Sequence, residues 1–359
     1  MLRRAGLRDF VEREIFYIAV MLFDLLAFGM ILMGRMGAAS PEPNEAAFCQ
    51  VPDLERLLNP DYLHWAKGIS PVLVSALVLL KALVFVAGLV GVGLLLWAAA
   101  RVRRRQPILR QQPIIEAQWT LWDVAKIACI YLFLMFLGFS VVSRIIPLHG
   151  ISEDKALLVS LGVNYFALAG TLLFICRVVC VERGQPLRAL GWALPGGPSD
   201  LRRTAGCYAA LQPLFFAALF ITQALAARFG IKLQPQEIVP RFMSEQSLSV
   251  MVTIMVLACV VAPILEETFF RGFLQPALRN RLGQRAAILL TALVFAGAHR
   301  SLSVFLPVLV LGLMLGYLYE KTQSTFASAM LHAMHNTVTT CFLLIVKYLP
   351  VHAVHYQIV

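Results

Sequence analysis

Residues 248–271 read LSVMVTIMVLACVVAPILEETFFR. The first eighteen carry no Asp, Glu, Lys or Arg, and two adjacent carboxylates follow at once. An uncharged run of that length crosses most of the ~30 Å hydrocarbon layer as a helix. The stretch therefore reads as a membrane span ending in Glu266 and Glu267. Working outward, further apolar runs lie at about 15–33, 72–100, 124–146, 157–181, 204–227, 286–299, 303–319 and 325–346. The run at 286–299 is short and reads as a half-span or a tilted helix that stops inside the membrane. The expected fold is all-α: a polytopic membrane protein with about eight to nine transmembrane helices.

The composition of the whole chain agrees. Of 359 residues, 59% are hydrophobic and 14% charged, against about 25% charged in soluble proteins. This excludes a soluble enzyme, a disordered chain and a disulfide-stapled secreted fold. Of the seven cysteines, only Cys49 lies in a long polar loop, and the others sit in or at the ends of apolar runs, so no loop disulfide is expected. The net charge of +11 reports loop topology rather than nucleic acid. With the N-terminus in the cytoplasm, the cytoplasmic segments hold 18 Lys/Arg and the opposite ones nine, the bias of the positive-inside rule. The segment 271–285 is counted among the cytoplasmic ones. All five Trp fall near predicted interfaces and read as an aromatic belt. The first run is too long for a signal peptide and reads as a permanent anchor. Asp24 and Lys81, charges within the first two spans, read either as snorkelling or solvated groups, the reading favoured for Lys81, or as a pair between neighbouring helices. The chain divides into an N-terminal membrane region, 1–203, with about four transmembrane helices, and a C-terminal core, 204–359.

Ionisable groups are costly in lipid and point to function. Almost every candidate site residue lies after residue 260. Glu267 and Arg271 are i and i+4 on a helix and can pair. Glu266 points about 100° away and is left free to act as a general base. His299 ends the next short run, with Phe295 one turn before it and Ala296, Gly297 and Ala298 between them. His332 and Asn336 share a face of the last helix, and His335 lies towards the same side. Each has a plainer reading: a solvated ion pair, a helix-end histidine, polar packing. Together they place carboxylates, imidazoles and an amide inside the bilayer, with Arg279, Arg281, Arg285 and Lys321 marking the cytoplasmic side. Gly312-x-x-x-Gly316, on the helix between, suits close packing around such a site.

This group can activate water and stabilise an oxyanion. It can also hold a metal with one open position. Both routes lead to hydrolysis. There is no H-E-x-x-H, no G-x-G-D, no Ser or Cys nucleophile beside a His in a recognisable turn, and no phosphate-binding Gly loop.

The set Glu266-Glu267-x-x-x-Arg271, Phe295-x-x-x-His299 and His332-x-x-x-Asn336, within 245–346, resembles the three motifs of the CPBP family. That family comprises CaaX prenyl proteases and bacteriocin-processing, Abi-type membrane peptidases, and includes the Ras-converting CaaX endopeptidase. The resemblance implies an active site between helices of the C-terminal half that opens to the cytoplasm. It implies an intramembrane endopeptidase acting on a membrane-associated, prenylated or otherwise lipidated protein or peptide. Glu266 with His299 would activate water, His332 and Asn336 would stabilise the oxyanion, Glu267 would support the site through Arg271, and Phe295 would pack beside His299. A divalent metal such as zinc, with Glu266, His299 and His332 as candidate ligands, and a metal-free glutamate mechanism both stay open. The implied location is a bacterial inner (plasma) membrane with the N-terminus cytoplasmic, and the implied partners are lipid and a peptide or protein, not nucleic acid. His335 is an addition to the pattern. The competing readings are a catalytically silent membrane scaffold that binds a partner or peptide, and a proton-coupled transporter; for the latter the sequence shows no repeat.

Overall fold

In a computed structural model, the structure describes residues 14–27, 71–145, 153–192, 198–236 and 238–348. Cys49, Trp65, the loop 34–70 and the end of the first run lie outside the described residues. Within them the chain is helical, with no strand. The helices are α1 (14–27), α2 (Pro71–Arg103), α3 (Leu121–Ile145), α4 (Glu153–Arg177), α5 (Pro198–Phe229), the short α6 (Ile238–Ser244), α7 (Leu248–Leu282), α8 (Gln284–Ala298), α9 (Leu302–Thr322) and α10 (Thr325–Tyr348). Seven of these are long and apolar enough to cross a membrane. The apolar helix α8 has 15 residues, or ~22 Å at 1.5 Å per residue, too short to span alone. Large side chains such as Leu79, Phe85, Leu96, Phe166, Leu173 and Phe220 are exposed. In water such a surface would aggregate; in lipid it is solvated.

The helices meet where small residues permit it. Pro213 interrupts α5; having no N–H, it leaves the Ala209 carbonyl one turn earlier without its helical partner. Gly91 of α2 packs on that carbonyl so closely that a Cβ would lie 2.0 Å from Ala209 O and 2.8 Å from Pro213 Cδ. The contact is available to glycine alone. It joins α2 to α5, which in turn packs on α9 and α10.

Three expectations need correction. First, Glu266 and Glu267 do not end their helix. α7 continues for 35 residues to Leu282, and Arg271, assigned above to a cytoplasmic segment, is fully buried. The charged half stays helical because neighbouring helices, not water, satisfy its polar groups. Second, Trp119 is not a belt residue. It is 1% exposed, stacks on Phe273 with ring centres 5.4 Å apart, and donates from Nε1 to Phe273 O at 2.7 Å. Trp97 and Trp122 do remain exposed. Third, Asp24 and Lys81 do not pair. α1 lies against α3 and α4 through Phe23–Phe133 and Phe16–Phe174, whereas α2 packs on α5. Asp24 Oδ2 has no hydrogen-bond partner among the described residues.

The charge that does organise the N-terminal helices is Lys126. Its fully buried Nζ lies 3.0 Å from Asp123, 3.1 Å from Glu14 and 3.3 Å from Glu182. It also sits 4.5 Å from the Tyr17 ring centre. Arg183 adds a second cation on Asp123 at 2.6 Å. Burying a cation with several carboxylates around it ties α1, α3 and the turn after α4 into one unit. The six described cysteines are free thiols.

Candidate active site

The site is built on α7, and two π-helical turns shape that helix, at Leu257–Val261 and Thr268–Leu274. Such turns are inserted residues that re-aim the side chains beyond them. In the first, the Ala262 N–H reaches back five residues to Leu257 O. The next carbonyl, Ala258, would take its donor from residue 263, but that residue is Pro263 and has none. Asn336 of α10 fills the gap, donating from Nδ2 to Ala258 O at 2.8 Å. One proline thus creates an orphan acceptor on α7, and that acceptor holds Asn336 against α7 about two turns before the glutamates.

Glu267 and Arg271 form a fully buried pair at 2.6 Å. The same carboxylate oxygen, Oε1, accepts from His332 Nδ1 at 3.0 Å. A carboxylate only accepts, so the His332 proton sits on Nδ1 and Nε2 faces away from Glu267. His332 lies seven residues into α10, ~10 Å from its start. Arg271 Nη2 donates to Gly312 O at 3.2 Å, and its guanidinium stands 4.5 Å from the centre of the Phe295 ring.

Phe295 is the hub of the aromatic contacts. Its ring lies 4.8 Å from His299 and 5.6 Å from His332. His299 caps α8: its backbone N–H goes to Ala296 O, which leaves Phe295 O free, and His299 Nδ1 takes that carbonyl at 2.8 Å. The acceptor again fixes the proton on Nδ1 and opens Nε2. Glu266 is half-buried and accepts no hydrogen bond from the described residues. It stands within electrostatic reach of Arg271, Tyr131 and Tyr165. The structure therefore separates the two glutamates: Glu267 is engaged through Oε1 by Arg271 and His332, while its buried Oε2 has no hydrogen-bond partner, and Glu266 accepts no hydrogen bond from the described residues. His335 turns instead to α5, with its ring 4.5 Å from Phe215.

Below this cluster runs a polar stripe that the sequence reading did not single out. Glu267, Arg271, Gln275 and Arg279 follow at intervals of four along α7, and Gly312, Gly316 and Glu320 do the same along α9. Gln275 Nε2 donates to Gly316 O at 3.1 Å and to Glu320 Oε1 at 2.8 Å. Arg279 pairs with Glu320 at 3.1 Å and donates to Ile115 O at 2.6 Å. The glycines make the approach possible. A Cβ on Gly316 would meet Gln275 Oε1 at 2.9 Å, and one on Gly312 would meet Ala292 of α8 at 3.1 Å. The four-residue spacing on both segments was the available signal. A further brace comes from the connector: Trp192 Nε1 donates to Thr268 Oγ1 at 3.1 Å, and Thr325 Oγ1 to Leu190 O at 2.5 Å.

As a metal centre the donor set is poor. Among the described residues no group of three or more His, Cys, Asp or Glu side chains is placed to hold a metal ion. His299 and His332 each spend Nδ1 on a protein acceptor, and Glu267 is taken by Arg271. Glu266 and the Nε2 atoms of His299 and His332 keep free donor positions, but among the described residues they are not brought together as a ligand set.

The site thus gathers two adjacent glutamates, two oriented imidazoles and an amide within a helical membrane bundle. Residues 247–338, about a quarter of the chain, match the family model of Rce1-like type II CAAX prenyl endopeptidases. This segment contains every motif residue described above. No curated protein and no solved structure matches the chain.

Proposed function

We propose that the chain is an intramembrane endopeptidase of CaaX-protease type, in which 204–359 is the catalytic unit and 1–203 its membrane scaffold. The observation that carries this reading is the division of labour between adjacent glutamates: Glu267 is held by Arg271 at 2.6 Å and by His332 at 3.0 Å, while Glu266 next to it accepts no hydrogen bond from the described residues. Glu266, with the open Nε2 of His299, takes a proton from water as the water attacks a substrate carbonyl. The oxyanion formed is met by His332, which donates from Nε2 when its ring is protonated, and by the second amide proton of Asn336, whose first is held by Ala258 O. Glu267 and Arg271 orient His332. No step needs a metal in this arrangement.

The substrate is proposed to be a prenylated or otherwise lipidated protein tail or a membrane-bound peptide, presented from the cytoplasmic side of a bacterial inner membrane. The Lys/Arg bias and the depth of His332 support that placement. The test is Glu266→Gln in the full-length protein. Cleavage should fall by about 10²–10⁴-fold, the range of a lost general base, with insertion and melting temperature retained. Cleavage at the wild-type rate would overturn the assignment.

A further inference from the structure

The N-terminal helices reach the segment that carries Glu266: α4 packs on Ala262–Glu267 and on the π-turn beyond it, and α3 touches that same turn. These two helices bring polar groups there. Tyr131 of α3 donates its hydroxyl proton to Asn164 Oδ1 of α4 at 2.8 Å. Tyr165 is the next residue. Tyr131 and Tyr165 stand within electrostatic reach of Glu266, and Tyr131 within that of Arg300.

The hydrogen bond has a consequence for the amide. Tyr131 occupies the oxygen side of Asn164, so the Nδ2 donors turn the other way. Asn164 is half-buried, and its Nδ2 donates to no described residue. An amide donor at membrane depth is costly without an acceptor, and packing gives no reason to orient it. A peptide substrate has what it lacks: a main-chain carbonyl on each residue. To be cut beside Glu266, a peptide must shed the water on those carbonyls and needs donors in exchange.

We infer that Tyr131 and Asn164 form a backbone-binding subsite, in which Asn164 Nδ2 donates to a substrate main-chain carbonyl next to the scissile bond and Tyr131 orients the amide. This rests on the reading of Glu266 as the base. It makes the N-terminal region part of the site and assigns it recognition of an extended peptide segment whatever its side chains. Asn164 touches substrate; Tyr131 is a positioning residue that acts through it.

The experiment uses full-length protein in nanodiscs and an internally quenched peptide ending in a farnesylated CaaX sequence. Asn164→Leu should raise KM about 3–10-fold, the effect of one hydrogen bond, with kcat within about twofold. Tyr131→Phe should raise KM by less, and should add nothing in the Asn164→Leu background, because its role runs through the amide. In the Glu266→Gln background, binding of the labelled peptide should weaken by the same factor, which removes turnover from the measurement. A purely structural role would instead lower the melting temperature, reduce kcat and give additive effects. Wild-type KM and binding in both single variants, or a loss confined to kcat, would overturn the subsite. The two readings fail separately. If Glu266→Gln still cleaves, the catalytic assignment falls; if it is inactive while Asn164→Leu keeps wild-type KM and binding, only the subsite falls.

Discussion

Replacing Arg271 by Met is the sharpest probe of how the site is held. The guanidinium is fully buried, pairs with Glu267 at 2.6 Å, donates to Gly312 O at 3.2 Å and lies 4.5 Å from the Phe295 ring centre. Met fills much of the same volume, so the cavity contribution is small. The main loss is that Glu267, itself without exposed surface, keeps its charge with only His332 as partner. Removing one member of a buried ion pair costs about 3–5 kcal/mol. The lost contact with Phe295 adds on the order of 1 kcal/mol. Arg271→Met should therefore melt far below wild type and lose cleavage. The companion is the double variant Glu267→Gln/Arg271→Met. With both charges gone the desolvation penalty disappears, and stability should return most of the way, as neutral replacements of buried pairs often permit. Activity should not return, because a neutral amide in place of the Glu267 carboxylate holds the His332 ring far more weakly. The assay is thermal unfolding in detergent with peptide cleavage on the same samples. An Arg271→Met protein as stable as wild type, or a double variant no more stable than the single, would refute the argument that this pair is a buried, mutually dependent unit.

Three further outcomes follow from the packing and the donor set. Gly91→Ala should destabilise by about 1–3 kcal/mol or more, because its Cβ would fall 2.0 Å from Ala209 O; Gly88→Ala and Gly93→Ala, which meet nothing within 4 Å, should melt at or above wild type, and equal behaviour of all three would contradict the α2–α5 contact. Lys126→Met removes the cation shared by Asp123, Glu14 and Glu182 and should lower the melting temperature by an amount reflecting about 3–5 kcal/mol, which a wild-type melt would disprove. Cleavage should survive a zinc chelator, since no metal-ligand group is assembled among the described residues; loss of activity restored by added zinc would show that Glu266, His299 and His332 rearrange to bind it.

Much of the site was legible from spacing. The i, i+4 relation of Glu267 and Arg271 holds in the structure, as does the shared face of His332 and Asn336, because a helix has one period wherever it sits. The same logic misled where the helix itself changes. The two π-turns in α7 cannot be read from hydropathy, and without them Glu266 and Glu267 look like a helix end. Arg271 and Trp119 were misplaced for a related reason: charge or aromaticity in a sequence says what a residue prefers, not what partner it finds. His335 sits three residues from His332, close enough on paper to join the site, yet Phe215 draws it to α5.

The sequence by itself determined the solvent and the small set of ionisable groups from which a site can be built. Apolar runs of membrane length leave no other fold class, and the few ionisable groups within them had to be paired or functional, since lipid penalises anything else. Only the tertiary structure decided which carboxylate is free. That depends on Gly316 letting α9 reach α7 and Gly312 letting it reach α8, on Pro263 leaving Ala258 O for Asn336, and on α10 bringing His332 to the same oxygen that holds Arg271. Each is a contact between segments distant along the chain, and periodicity within one segment carries no information about its neighbour.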